Sequence, residues 1–302
     1  MAINRSSARD LLLPGLADVE GKYPQIPTRW KEWASTGTSK MAMERVDEMR
    51  YTGLATLKQE GGATTFDNAS GQRYTYVAQH ISVGLGFAIT REMLDDNLYK
   101  EHFGPSTMGL AESFAQFKEV YVHSLLNTGT TYNPNIVADG VALFSTAHPI
   151  DNGTYANRPS TDLDFNESSV EYALNTIRQW PDQAGLLAMV RARKVVLPTA
   201  LSWAGERLFK TELRVGTNQN DVSALITSGA IPNGYMVSEF LTSSFAWFIA
   251  TSVRGLMVYD RVPYEMDMQV DPTTGNLLCI AYERYAAFYR NPRAAWGSFP
   301  TA

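Results

Sequence analysis

Residues 74–89 read YTYVAQHISVGLGFAI, and this stretch decides the architecture. Val77, Ile81, Val83, Leu85, Phe87 and Ile89 share one parity, interrupted only by Gln79, while Ala78, His80, Ser82, Gly84, Gly86 and Ala88 hold the other. Alternation with period two is the pattern of an extended strand with one apolar face. Upstream, residues 50–60 form a second extended candidate, and residues 61–71, GGATTFDNASG, supply a polar turn between the two. Residues 48–89 therefore predict a long antiparallel ribbon.

At ~3.3 Å per residue the return arm would span roughly 50 Å, against a radius of gyration near ~19 Å for a compact chain of this length. A two-stranded ribbon of that reach is marginal alone in water, and its open edges invite association. The expectation is that another subunit covers the apolar stripe. The alternative is a strand that bends at Gly84 and Gly86 and folds back as two ordinary strands of a larger sheet.

The chain has 302 residues, enough for one large or two modest domains, of which 44% are apolar and 19% charged. Charge is sparser than the usual ~25%, so some surface is expected to be covered. The net charge of -5 argues against a protein that grips nucleic acid by its phosphates, which needs a clustered basic face. Enclosing nucleic acid needs no such face. The single cysteine, Cys279, lies in an apolar run and is expected to be a small buried hydrophobe. Residues 1–22 mix Arg5, Arg9, Asp10, Asp18 and Glu20 with a short apolar patch at 11–13, so neither a signal peptide nor a membrane span is expected, and folding is expected in the cytosol.

Residues 1–43 carry Pro14, Pro24 and Pro27 with little periodicity, and Tyr23, Trp30 and Trp33 look exposed; this predicts an extended arm with aromatic anchors that docks on something else. After the ribbon comes a helical stretch with Thr90 as N-cap and Leu94 and Leu98 on one face, broken at Gly104 and Pro105. Leu110, Phe114, Phe117, Tyr121 and Leu125 then recur at spacings of three and four, predicting a core-facing helix over 108–126. A loop-rich region over 127–165 precedes an alternation of helix and strand: a capped helix over 166–180, a buried strand over 194–198, a short helix over 199–210 and an apolar strand over 245–253. This predicts an inserted α/β domain. Tyr264, Met266, Met268 and Val270 alternate with polar residues, and Asp271, Pro272 and Gly275 turn the chain into a second strand over 277–289.

Chemistry is sparse. His80, His102, His123 and His148 show no metal-ligand spacing with an acid or thiol, and His80 and His123 are expected at a surface or interface. Ser145 and His148 are near neighbours, yet nucleophile and base normally come from distant segments, and neither a G-x-S-x-G elbow nor a phosphate loop occurs. No catalytic, metal or cofactor site is expected.

The order of arm, ribbon, long helix, inserted α/β domain and terminal hairpin resembles the major capsid, or major head, proteins of tailed double-stranded-DNA bacteriophages, with their Hong Kong-type capsid fold. The segment 143–149, LFSTAHP, is similar to the stretch after the spine helix in Mu-like phage major head subunits. The resemblance implies an α+β fold with an N-terminal arm at 1–43, an extended β-hairpin loop at 44–89, a peripheral domain with the spine helix at 90–165, an axial domain at 166–253, and a return to the peripheral domain with a C-terminal β-hairpin at 254–302. It implies a structural protein of the virion, with no enzymatic role, assembled in the host cytoplasm into hexamers and pentamers of an icosahedral shell. The implied partners are other copies of itself, a portal, a separate scaffolding protein and a decoration protein, with double-stranded DNA enclosed without specific binding and no membrane. Trp30, Trp33, Lys58, Phe66, Arg73, Tyr74, Tyr76, Val77 and Ile81 are the candidate contacts between subunits. Two alternatives stand beside it: an encapsulin-type compartment shell, and a cytosolic hydrolase using Ser145 and His148.

Overall fold

The computed structural model describes residues 19, 22–68, 70–96, 99–133, 139–211 and 224–301. The terminal alternation folds as expected. Strand β10 (Leu256–Val270) pairs antiparallel with β11 (Leu277–Tyr289). At their turn the Asp271 carboxylate accepts the Thr273 N–H at 2.9 Å and the Thr274 hydroxyl at 2.6 Å. Flanking this pair, β1 (Ser35–Thr38) runs parallel to β10 and β4 (Ile81–Ile89) antiparallel to β11, giving the order β1-β10-β11-β4.

A second sheet has the order β12-β9-β7-β8 and is built from β7 (Ala192–Pro198), β8 (Tyr235–Ser238), β9 (Trp247–Thr251) and β12 (Ala295–Ser298). Thr90 caps α1 (Arg91–Asp95), its hydroxyl accepting the Met93 N–H at 3.3 Å; Leu98 and the Leu94 side chain lie outside the described residues. The long helix α2 (Tyr99–Asn127) lies across the first sheet. Its Leu110, Ala111 and Phe114 pack on Met266, Met268, Cys279 and Ala281, and its Val122, Leu125 and Leu126 reach Val258 and Ala287. The helix runs through Gly104 and Pro105 without the predicted break: Pro105 stands exposed, and the Thr107 hydroxyl donates to the carbonyls of Phe103 and Gly104. Helix α3 (Glu167–Arg178) begins at Asn166, whose side chain accepts the Ser169 N–H at 2.8 Å, and it buries Val170, Ala173, Leu174 and Ile177 on the second sheet. Helix α4 (Ser202–Lys210) follows β7.

Four expectations are corrected. The stretch 74–89 is two strands: β3 (Gly71–Gln79) pairs with β2 (Met43–Arg50) in a separate ribbon, while β4 joins the first sheet. The division falls at His80, whereas Gly86 lets β4 approach β11 so closely that a Cβ there would lie 2.5 Å from the Cys279 carbonyl oxygen. Parity changes across the division, so Tyr76 and Ala78 face inward and Val77 outward. The outgoing strand ends at Arg50 and does not continue to residue 60.

Trp30 and Trp33 are 1% and 9% exposed, packed among Val122, Leu125, Leu126, Leu143 and Phe144, so they anchor the chain on its own core. Glu119 of α2 holds their turn by accepting the backbone N–H groups of Arg29 and Trp30, and Tyr23 stacks on Tyr264 with ring centroids 4.3 Å apart. Phe117, placed by periodicity on the core stripe, is 46% exposed. Finally, β12 leaves the first sheet and pairs with β9 in the second, because Trp296 is buried against Trp247 at 4.8 Å between centroids; the C-terminal segment thus serves both sheets.

Candidate functional site

The ribbon is a projection clamped at its base. On its inner face Val46, Tyr76 and Ala78 pack on Ala286 and Phe288, and the Tyr76 hydroxyl donates to the Tyr289 carbonyl. Glu48 is buried beside Gln183, which donates to it, and Arg293, 3.5 Å away; burial pushes its carboxyl above the usual range, and those two partners oppose the shift. Where pairing stops, Arg50 and Arg73 both hold Asp151, the first residue of the turn joining β5 (His148–Ile150) to β6 (Gly153–Tyr155), and Arg50 reaches Asp67 at 3.5 Å.

Beyond that clamp residues 51–68 carry their apolar side chains into solvent: Tyr51, Leu54, Leu57 and Phe66 are exposed, Leu57 completely so at 99%. The two arms stay side by side through the Gly53 N–H donating to Asp67 at 2.6 Å and a Thr56–Thr65 hydroxyl contact at 3.1 Å, and the Gly62 N–H closes the tip on the Gln59 carbonyl. Among the described residues this projection has no core of its own, and exposed apolar groups grouped like this are the kind of surface that marks an interaction site.

A second unfinished surface lies on the same chain. Strand β4 pairs with β11 on one side only, so its other edge is open among the described residues. Between that edge and α2 lies a groove of about 570 Å³ lined by Ile81, Val83, Leu85, Phe114, Phe117 and Tyr121, with Val120 also exposed nearby. Of the nine predicted contacts, Lys58 and Phe66 lie on the projection, Arg73 and Tyr74 at its base, Val77 on the ribbon's outer face and Ile81 in the groove; Trp30, Trp33 and Tyr76 are interior. Sequence reasoning missed Phe117 and Val120. Their signal was present, since apolar residues at 117 and 120 cannot both face the sheet with Phe114 and Leu125 on a single narrow stripe.

The segment 143–149 forms a buried polar hub. His148 Nδ1 lies 2.6 Å from Asp139 and Nε2 3.0 Å from Asn157 Oδ1. The Asn157 amide nitrogen donates to the carbonyls of Leu143, Pro292 and Ala295, while its Oδ1 also accepts the Ser145 N–H at 2.9 Å. These bonds tie the loop after α2 to the C-terminal strand. Ser145 Oγ accepts the Ala147 N–H and does not meet His148, so the proposed nucleophile and base are not paired. His80 and His123 are buried too, against the surface role expected of them; His102 has no described side chain. His123 donates its Nδ1–H to the Glu119 carbonyl at 2.8 Å and meets the Ser238 hydroxyl through Nε2 at 2.9 Å, and desolvation holds it below the usual imidazole range. Among the described residues no cluster of three His, Cys, Asp or Glu could hold a metal ion, and no helix is long and apolar enough to cross a membrane.

Comparison with known proteins bears on the fold. The chain is similar to the capsid of a native GTA particle (12% identity, TM-score 0.60, 90% of this chain and 89% of that one). It is also similar to a structure of Microbacterium phage Oxtober96 (11%, 0.54, 100% of both chains) and to a virus-like particle from Pyrococcus furiosus (11%, 0.54, 95% and 96%). At such identities the likeness shows the fold, which is that of phage major capsid proteins. No curated protein matches the chain. The family model described as phage capsid protein matches residues 73–297, well over half of the chain, and the chain therefore belongs to the phage capsid protein family.

Proposed function

We propose that this chain is the major shell subunit of a tailed-phage head, assembling as hexamers and pentamers into an icosahedral capsid around double-stranded DNA. The observation that carries the reading is the pairing of two unfinished surfaces on one chain: the solvent-exposed apolar segment 51–68 and the open β4 edge beside the α2 groove. Because donor and acceptor are different patches, their contact is heterologous and repeats from subunit to subunit, which closes rings. The projection of one copy fits the groove of the next, with Leu54, Leu57 and Phe66 as its apolar anchors and Lys58 at its rim. The acidic balance of the chain, -5, suits a wall that encloses DNA without gripping it. A portal and a separate scaffolding protein complete the proposed set of partners, with a decoration protein on the outer surface.

The test replaces residues 54–66 by a short Gly-Ser linker, leaving the Arg50–Asp151–Arg73 clamp in place. The expected product is a folded, soluble subunit that forms no shells in negative-stain electron microscopy, alone or with a co-expressed candidate scaffolding protein. Normal shells from that variant would sink the assigned role of the segment. An encapsulin-type shell is the second reading, and DNA protected from nuclease inside purified particles separates the two.

A further inference from the structure

Five of the six tryptophans are buried, and Trp203 alone stands in solvent, 75% exposed. The fold turns it outward. Helix α4 rests on β7 and β8 through Gly205, where a Cβ would lie 2.6 Å from Leu197 and 3.1 Å from Tyr235, and through Leu208 and Phe209 on the same face. Trp203 and Arg207, one turn apart, occupy the opposite face. Lys210 is already paired with Glu206 at 2.8 Å, whereas Arg207 has no ion-pair partner among the described residues.

Toward the other side of the second sheet lies a hollow of about 340 Å³ whose walls include Pro159, Leu163, Ser168 and Tyr172. Leu163 is bonded through both its N–H and its carbonyl to the Ser298 hydroxyl of edge strand β12, while α4 lies over β7 and β8. With the order β12-β9-β7-β8, hollow and tryptophan therefore stand toward opposite edges of the sheet. Tyr172 is 48% exposed, and Ser168 Oγ donates to Asn166 Oδ1 at 2.8 Å, which leaves its lone pairs open to a donor. Glu171, one turn beyond Ser168, is exposed and, like Arg207, has no ion-pair partner among the described residues.

We propose that Trp203 of one copy seats in this hollow on the next copy, its indole N–H donating to Ser168 and Arg207 facing Glu171. The contact rests on the shell reading given above and adds to it a second joint between neighbours, apart from the projection. Three matches carry it. In chemistry, an indole buried against proline, leucine and tyrosine still needs an acceptor for its N–H, which Ser168 supplies. In charge, an unpaired cation beside the knob meets an unpaired anion beside the hollow. In spacing, Arg207 lies one helical turn from Trp203 and Glu171 one turn from Ser168, so both pairs can register together at ~5–6 Å between Cβ atoms. Tryptophan, tyrosine and arginine are also the residue types that dominate the binding energy of interfaces. Because knob and hollow are different patches at opposite edges, the contact is heterologous and repeats around a ring.

The threshold concentration for shell formation, read by light scattering on the full-length chain, tests this. All three substituted side chains are exposed, and circular dichroism of the free subunits checks that each variant folds. Trp203→Ala is expected to raise the threshold ~10-fold or more, as the loss of one dominant interface side chain does. Arg207→Glu and Glu171→Arg each set like charges face to face and should raise it roughly 3- to 10-fold, whereas combining the two restores opposite charges and should bring it back to within ~3-fold of the parent. An unchanged threshold for Trp203→Ala overturns the proposal, and so does a double reversal no better than the single ones. Either result leaves the parent's shells standing, whereas a parent that never forms shells overturns the shell reading and this contact with it.

Discussion

Leu57→Ser isolates assembly from folding. In the free subunit this side chain is 99% exposed, so the folded chain loses no burial and its stability should stay within ~0.5 kcal/mol of the parent. In the proposed contact the same leucine enters a neighbour's groove, and fully burying it is worth about 1.5–3 kcal/mol. In that arrangement each subunit would insert one projection and receive one, so that loss falls once per subunit. At ~1.4 kcal/mol per tenfold in an equilibrium constant, the free-subunit concentration coexisting with shells should rise about 10- to 100-fold. Light scattering over a concentration series reads the threshold, and thermal unfolding of the free subunit provides the control. Phe117→Ser alters the receiving groove, where the ring is 46% exposed. If the two side chains meet, the double variant should cost less than the sum of the single ones. An unchanged threshold for Leu57→Ser, or a strictly additive cycle, would refute the seating of the projection in that groove.

Removing the hub asparagine should act on the fold itself: Asn157→Ala strands three carbonyls and the His148 ring, costing about 2–4 kcal/mol, and calorimetry should show the melting temperature fall by several degrees. Asp151→Ala should barely change stability, because its pairs with Arg50 and Arg73 are part-exposed and screened, yet amide exchange in β2 and β3 should accelerate as the ribbon's base loosens. His123 supplies a pH dependence. Its folded form resists protonation, so stability is fully present above the unfolded value of 6.5 and is lost as pH falls toward the depressed folded value, at up to ~1.4 kcal/mol per unit. Urea titrations at pH 7.5, 6.5 and 5.5 should show that extra slope in the parent and lack it in His123→Gln.

Legibility in the sequence followed the range of the interactions. Local chemistry was readable: the Asn166 cap, the turn at Asp271 and the alternation over 264–270 each appear where residues a few positions apart dictate them. The family resemblance rested on element order, and the family match bears it out. The failures are long-range. Alternation over 74–89 continues smoothly through His80, and only the separate packing of Tyr76 on Phe288 and of β4 on β11 divides it into two strands. Trp30 and Trp33 look like exposed anchors because the apolar residues that cover them, from Val122 to Phe144, lie far along the chain. For the projection the reverse holds: Leu54 and Leu57 fall on the stretch read as a paired arm, and only Phe66 in the polar, glycine-rich turn, yet all three lack covering residues among those described. The groove was missed because half of it is a helix face, and periodicity assigns every apolar residue on such a face to the chain's own core.

The hub and the projection are mechanically linked, and this explains why a shell protein would bury polar groups it could replace with apolar ones. Asp139 and Asn157 fix His148 at the start of β5, and three residues later Asp151 receives Arg50 and Arg73 from the ribbon. An apolar core would hold the loop's position but tolerate several rotations of it, whereas directed hydrogen bonds with four backbone groups and one ring allow one. Orientation matters most at a lever: the tip at Gly62 lies 12 residues beyond the ribbon's last paired position, Arg50, on one arm and 9 before Gly71 on the other. A small rotation at Asp151 therefore becomes a large displacement at Leu57, and a contact that must repeat identically around every ring has little tolerance for it.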